Sequence, residues 1–588
     1  MCVSALDFFP SVLTLYSDLR LSIYATTLLL IDSVVASVNF TQCFQDVKSN
    51  WISFNDTTGA TDSHGNPVSD LSLATGITYA LCVEACGTGG GPFSWSQFSQ
   101  QLSAWLLPWV ALFFQFPFGS RFKYDNLMSV VLALGSPCLA AYSLSLTVLN
   151  KRWIARRFAN IQYPNSGRAA LVLSSLQYAP LTVNIDGNLL ASLVVLPEND
   201  KWWRELAEWL DYADIHTWTL AGIASMIWVV LAYILTIIDA FNAISTDPNG
   251  NGQGLSGIGS IWLWTIPVCL GYLQLSPRCD TKRLENALNR ANKVAHVAGT
   301  DGVIRASTLN ARHALSFEFC RKDELYRDQE ATAPIYNYAR FLSFVQVAEE
   351  VASAFRSAAD YAMHHRPVNP DLAWQHGHPC DDEIHPANRT GSVADKVSAY
   401  CRAQRSHWGP DVFSRIFIAS LAALGLQWAT SGASIVIVYF TQAERLGCRS
   451  GAYLFYASVA TFVWILFLAS SILCHYVTAS VRIHDISHHV VARIALFLRY
   501  LAKFLATCNA VWIIAAFIMQ FSDLYDRCYC DSNVLSQGKR AHSVMVLTAS
   551  DISVMKVAWI GGFLLAVVSS GLFIGFITIC IDSPLDPL

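Results

Sequence analysis

The stretch Gly135–Phe158, GSPCLAAYSLSLTVLNKRWIARRF, decides how this chain is threaded. It opens on a break at Gly135, Ser136 and Pro137, stays largely apolar to Leu149, and ends with Lys151, Arg152, Arg156 and Arg157. Proline removes a backbone donor and glycine lets the chain turn. The break divides the apolar segment Asn126–Asn150 into halves of about 10 to 13 residues, each too short for a hydrocarbon core of about 30 Å. A hairpin that enters and leaves on one side fits this pattern; an ordinary kinked span is the rival. Cations beside membrane segments prefer the cytoplasmic side, so the four basic residues are expected there, at a surface where anionic lipid would attract them.

The rest of the chain has the composition of a membrane protein. Of 588 residues, 53% are hydrophobic and 14% charged, against roughly 25% charged in soluble domains. Besides Asn126–Asn150, apolar segments run over Ser103–Phe118, Thr217–Phe241, Ile258–Ser276, Val412–Phe440, Gly451–Tyr476, Val490–Phe521 and Val557–Ile581. Several exceed the ~18 residues that mark a span. The fold class expected is an all-α integral membrane protein with about seven or eight transmembrane helices, a re-entrant hairpin, a small disulfide-bonded luminal head and helical cytosolic insertions. The net charge of −4 argues against nucleic acid; the bilayer itself is the partner the composition implies.

Residues 1–38 read as a signal peptide or an uncleaved signal anchor: Arg20, then LSIYATTLLLI, then Ala36 and Ser37. Residues 39–101 follow as a polar luminal or extracellular head with acceptor triplets at Asn39 and Asn55. A third triplet, at Asn388, falls in a stretch expected in the cytosol and reads as chance. The loop Ser245–Gly257 contains no Lys or Arg, which places it outside and residues 151–216 and 277–411 inside. The expected layout is a first membrane helix plus the broken segment over 102–150, an amphipathic region over 151–216, and a helix pair over 217–276. A helical cytosolic region over 277–411, a four-helix region over 412–581 and a cytosolic tail over 582–588 follow. Trp202, Trp203 and Trp209 are expected at the headgroups. Threaded this way, Cys43, Cys82, Cys86, Cys448, Cys528 and Cys530 all lie outside, an even number suited to disulfides whose pairing the sequence leaves open. The location expected is the secretory pathway or plasma membrane, with the C-terminus cytosolic.

Chemistry-bearing motifs are sparse. His376, His378, Cys380 and His385 are metal-ligand types in a cytosolic loop, without an established zinc spacing. His484 and His488 stand four apart, with no glutamate base between them as a metalloprotease would need. Arg493, Arg499 and Lys503 do not repeat every third residue as in a voltage sensor, and read as a solvated or lipid-anchoring face. No nucleophile elbow, phosphate loop or paired-histidine metalloprotease motif is present. No catalytic residue and no cofactor is assigned.

Several stretches together carry a resemblance. DNLMSVVLALGSPCLAAYSLSLTVLNKRWIARRF, LASLVVLPENDKWWRELAEWL, PIYNYARFLSFVQVAEEVASAF and the long run from HWGPDVFSRIF through LGCRSGAYLFYASVATFVW resemble uncharacterised multi-pass membrane proteins of filamentous and mushroom-forming fungi. The resemblance implies a membrane protein with a cysteine head on the secretory side, and it implies no activity. The expected function is non-enzymatic: sensing, scaffolding or partner binding through residues 277–411. The alternative is a channel or transporter that uses the broken helix at Gly135–Pro137.

Overall fold

The computed structural model describes residues 40–582 except 55–56, 88–92, 94, 185–187, 212–219, 246–252, 301, 309–312, 318–323, 377–383, 391–392, 402–407, 442–444 and 480–485. The signal segment, Asn39, Asn55, His378, Cys380 and His484 lie outside the described residues. The chain divides into two compact units, one made of residues 1–98, 442–448 and 519–551, the other of the remainder.

The smaller unit is the cysteine head. Its first helix, α1 (Phe40–Phe54), turns Phe44, Val47 and Trp51 to one face by their spacing of three and four. That face packs with Ile77, Ala60 and Cys82, the last on α2 (Tyr79–Cys86). Strands Ala60–Thr61, Gly76–Thr78 and His542–Val544 form a three-stranded antiparallel sheet, with Ile77 opposite Ser543. Disulfides join Cys43 to Cys86, Cys82 to Cys528 and Cys448 to Cys530. Three stretches far apart in sequence are thereby held in one unit, which constrains the unfolded chain more than it adds contacts.

The larger unit contains the broken helix, α3 (Lys123–Gly135) and α4 (Pro137–Phe158), bent by 110° at Ser136. It also contains most or all of the helices α5 (Leu220–Ala243), α6 (Asn337–Met363), α7 (Val412–Tyr439), α8 (Cys448–Ala479), α9 (Ile486–Phe521) and α10 (Ala549–Ile581). Among the described residues five of these, α5 and α7 to α10, are long and apolar enough to cross a membrane. They fit an integral membrane protein. Helix α5 buries 22% of its apolar window and α10 28%, against 50% for α7 and α8, so the former two offer the broadest faces to lipid. Two further apolar stretches come in pieces: Trp95–Gln101, Leu102–Leu106 and Leu107–Phe113, then Gln253–Trp262 and Thr265–Leu275.

The two polar insertions form one body. Asn199 donates to His296 O at 2.9 Å, Trp202 Nε1 to Asn292 Oδ1 at 3.1 Å, and Arg389 Nη2 pairs with Asp200 at 2.7 Å. Trp202 and Trp203 are core residues here, not headgroup anchors. The helix Asp200–Asp211 places them with Leu206 and Leu210 on its buried stripe, and Trp203 Nε1 bonds Leu193 O. Trp209, at the edge of that stripe, stays exposed. Short antiparallel strand pairs join Leu181–Val183 to Leu315–Phe317 and His296–Ala298 to Val303–Arg305, so this body is not wholly helical. Asn388 is buried, with its amide bonded to Gln375 O at 2.7 Å.

Candidate functional site

Two constellations at the centre of the larger unit combine burial with polar chemistry. The first is the break between α3 and α4. A helix end leaves carbonyls without partners and the next helix start leaves amides. Tyr456 OH donates to Leu134 O at 2.8 Å, and Asn509 Nδ2 to Gly135 O at 2.8 Å. On the other side of the break, Cys138 N donates to Gln427 Oε1 at 2.9 Å, and Leu139 N to Ser136 Oγ, the helix cap, at 3.3 Å. Ser136 Oγ in turn donates to Ala460 O at 2.8 Å. Pro137 at the first position of α4 needs no amide partner. Gly135 lies against α9 so closely that a Cβ there would stand 2.0 Å from Ala506 O. Asn509 Oδ1 is left without a partner.

Gln427, Ala460 and Ala506–Asn509 all belong to the middles of the long helices α7, α8 and α9. The two limbs of the broken helix, by contrast, both end against the body of the polar insertions. Ahead of α3, Ser120 Oγ accepts from Ala333 N and Gly119 O from Thr281 N; at its first turn Asp125 O accepts from Tyr336 OH. At the end of α4, Arg157 pairs with Glu349 through both its Nε and Nη2.

The second constellation is a buried charge cluster. Asp328, 2% exposed, receives Lys503 Nζ at 2.5 Å and Tyr338 OH at 2.6 Å, with Arg499 Nε at 3.6 Å. Burial by itself would raise this carboxyl, but the neighbouring Lys503 and Arg499 charges and the hydrogen bonds from Lys503 and Tyr338 hold it down at about 2. Arg499 Nη1 also donates to Leu325 O at 2.7 Å, and Ser471 Oγ to Tyr338 O at 2.6 Å. Arg499 and Lys503 are therefore not a solvated face. The short helix Arg327–Glu330, which carries Asp328, reaches them from the body of the polar insertions, a long-range pairing that helical spacing could not reveal. Arg415 at the start of α7 is held similarly: its Nη1 donates to Asn150 Oδ1 at 2.6 Å and its guanidinium lies 4.3 Å from the Trp153 ring centroid.

Of the candidate histidines, His376, His385 and His488 are among the described residues, and each has its own surroundings. His376 rests against His365 with ring centroids 5.6 Å apart, His385 caps the turn at Ala387, and His488 stacks on Tyr476. Among the described residues no group of three or more His, Cys, Asp or Glu side chains could hold a metal ion. Comparison with family models, curated proteins and solved structures gives no match.

Proposed function

We propose that this is a non-enzymatic membrane protein that holds a soluble docking body rigidly at the inner face and a disulfide-bonded head at the outer face. The observation that carries this reading is Asp328: on the short helix Arg327–Glu330 it is buried and held by two cations of α9. Such anchoring suits a scaffold whose binding surface must keep a fixed pose.

The threading that accompanies it has seven crossings. These are Trp95–Phe113, α5, Gln253–Leu275, and α7 to α10, with α3 and α4 re-entrant. The bonded head requires an even number of crossings between residue 98 and residue 445, and this assignment supplies four. It leaves both halves of the soluble body on one side. Support for the hairpin is the 110° bend together with the return of both limbs to the soluble body. The lack of Lys and Arg in Ser245–Gly257 supports the choice of outer face.

Conduction through the break is the weaker reading. A channel exposes backbone dipoles to its ion, whereas the carbonyls of Leu134 and Gly135 and the amide of Cys138 are occupied by protein side chains. Proteoliposomes holding the full chain should pass no ions or small solutes. Flux that Asn509→Leu abolishes would overturn the scaffold reading. Amide exchange across residues 324–340 should be as slow as in the spans; fast exchange there would remove its premise.

A further inference from the structure

Two histidines follow the last residue of α6. The helix closes with His364 N on Asp360 O at 3.3 Å, His365 N on Ala362 O at 2.9 Å and Arg366 N on Tyr361 O at 3.0 Å, and His365 takes the left-handed conformation with φ 54°. His364 turns back along the helix, its Nδ1 2.7 Å from Asp360 O. The His365 ring meets the loop that follows instead. Its centroid lies 5.4 Å from that of Trp374, nearly perpendicular to it, and 5.6 Å from that of His376, tilted by 60°.

The loop is held where it stands. The buried Asn388 side chain accepts from Gln375 N at 2.8 Å and donates to Gln375 O at 2.7 Å, immediately before His376, while its own carbonyl accepts from Val368 N at 2.8 Å. Lys396 fixes the middle of the loop through Asn369 Oδ1 at 2.9 Å and Asp371 at 2.5 Å. Both His365 and His376 are exposed, so an ion and its waters have access to them. A metal about 2 Å from one nitrogen of each ring stands roughly 3 Å from each ring centroid, so two imidazoles on one tetrahedral ion have centroids about 5 to 6 Å apart. The observed 5.6 Å falls in that range, and the tilt is not that of stacked rings.

We propose that His365 and His376 form a two-histidine site for a divalent transition metal ion, zinc or copper(II), with water in its remaining positions. Imidazole suits these ions, whereas a hard cation such as magnesium prefers oxygen ligands. Bound there, the ion cross-links the end of α6 to the loop that Asn388 secures. The site depends neither on the scaffold reading nor on the side of the membrane where this body lies. Sequence spacing pointed from His376 to the ligand types that follow it; the partner comes from the helix before it.

The test strips the untagged, detergent-purified full chain with a chelator, then titrates Zn²⁺ alone by calorimetry and Cu²⁺ alone by electron paramagnetic resonance, with Mg²⁺ as the hard-cation arm. Zinc should bind saturably and magnesium should not, and the copper spectrum should show nitrogen coupling. His365→Asn should weaken zinc binding by about tenfold or more, since loss of a mere supporting partner already costs that much. Asparagine tolerates the left-handed turn, so this variant carries the test if another fails to fold. His376→Gln should weaken binding as much, and His364→Gln, one residue away, should change nothing. Metal-free melting midpoints equal to wild type separate loss of a ligand from loss of the fold. Zinc bound with unchanged affinity and stoichiometry when His365→Asn and His376→Gln are combined, or weakened equally by His364→Gln, would mean an adventitious ion only and overturn the proposal, as would the absence of saturable binding.

Discussion

Asn509 Nδ2 donates to Gly135 O at 2.8 Å, so the middle of α9 caps the end of α3 at the turn of the broken helix. The same amide group bonds Tyr456 O at 3.1 Å. One buried side chain therefore ties α3, α8 and α9 together. Asn509→Leu should lower stability by about 1–3 kcal/mol, the cost of leaving buried acceptors unpaired, read as a fall in the melting midpoint in detergent. Gly135→Ala should act through a different cause, because its Cβ would meet backbone at Ala506. An overpacking cost of about 1–3 kcal/mol is expected, and restoring the hydrogen bond cannot relieve it.

Asp328 should be more sensitive than its partners taken singly. Asp328→Asn leaves the buried Arg499 and the partly buried Lys503 without a counter-charge, a loss of about 3–5 kcal/mol. The pH dependence follows from the carboxyl being held at about 2 against an ordinary 3.8. A lowered carboxyl contributes stability that is complete above 3.8 and is lost as pH falls through about 2. Thermal midpoints of the wild type and Asp328→Asn should therefore differ by a constant amount from pH 5 to pH 8.

Glu350, on helix α6, has the opposite sign. Burial pushes its carboxyl up from 4.5 to about 7, with a hydrogen bond to Gln346 opposing. The folded chain then binds a proton that the unfolded chain has released, so this group destabilises increasingly from pH 4.5 up to about 7. Glu350→Gln should raise the melting midpoint at pH 8 and leave it nearly unchanged at pH 4.5. An equal effect at both pH values would contradict the burial of this side chain.

The disulfides make a prediction that needs no stability measurement. Non-reducing digestion should yield peptides linking Cys43 to Cys86, Cys82 to Cys528 and Cys448 to Cys530. Cys82→Ser should free Cys528 to alkylation and leave the other two links in place. Loss of that link should cost about 2–5 kcal/mol, concentrated in the head.

The spans were legible because lipid imposes length and apolarity on a contiguous stretch, so α5 and α7 to α10 announce themselves residue by residue. The break was legible for a similar local reason: glycine and proline act on their own backbone. What encloses the break was not, since Asn509, Gln427 and Tyr456 come from three other helices and carry no pattern of their own. The partnership of Asp328 with Arg499 and Lys503 was hidden likewise, because its members are more than 170 residues apart. The Trp202–Trp203 pair misled because an amphipathic stripe looks the same whether it faces headgroups or a protein core.

The re-entrant threading is tested most directly by sidedness. Single reporter cysteines at Arg121 and Asn160, flanking α3 and α4, and at Lys539 in the head are labelled with a membrane-impermeant maleimide in oriented vesicles, with the six bonded cysteines retained. Residues 121 and 160 should react from the same side and residue 539 from the other. Reaction of 121 and 160 from opposite sides would make the broken helix an ordinary span and contradict the account.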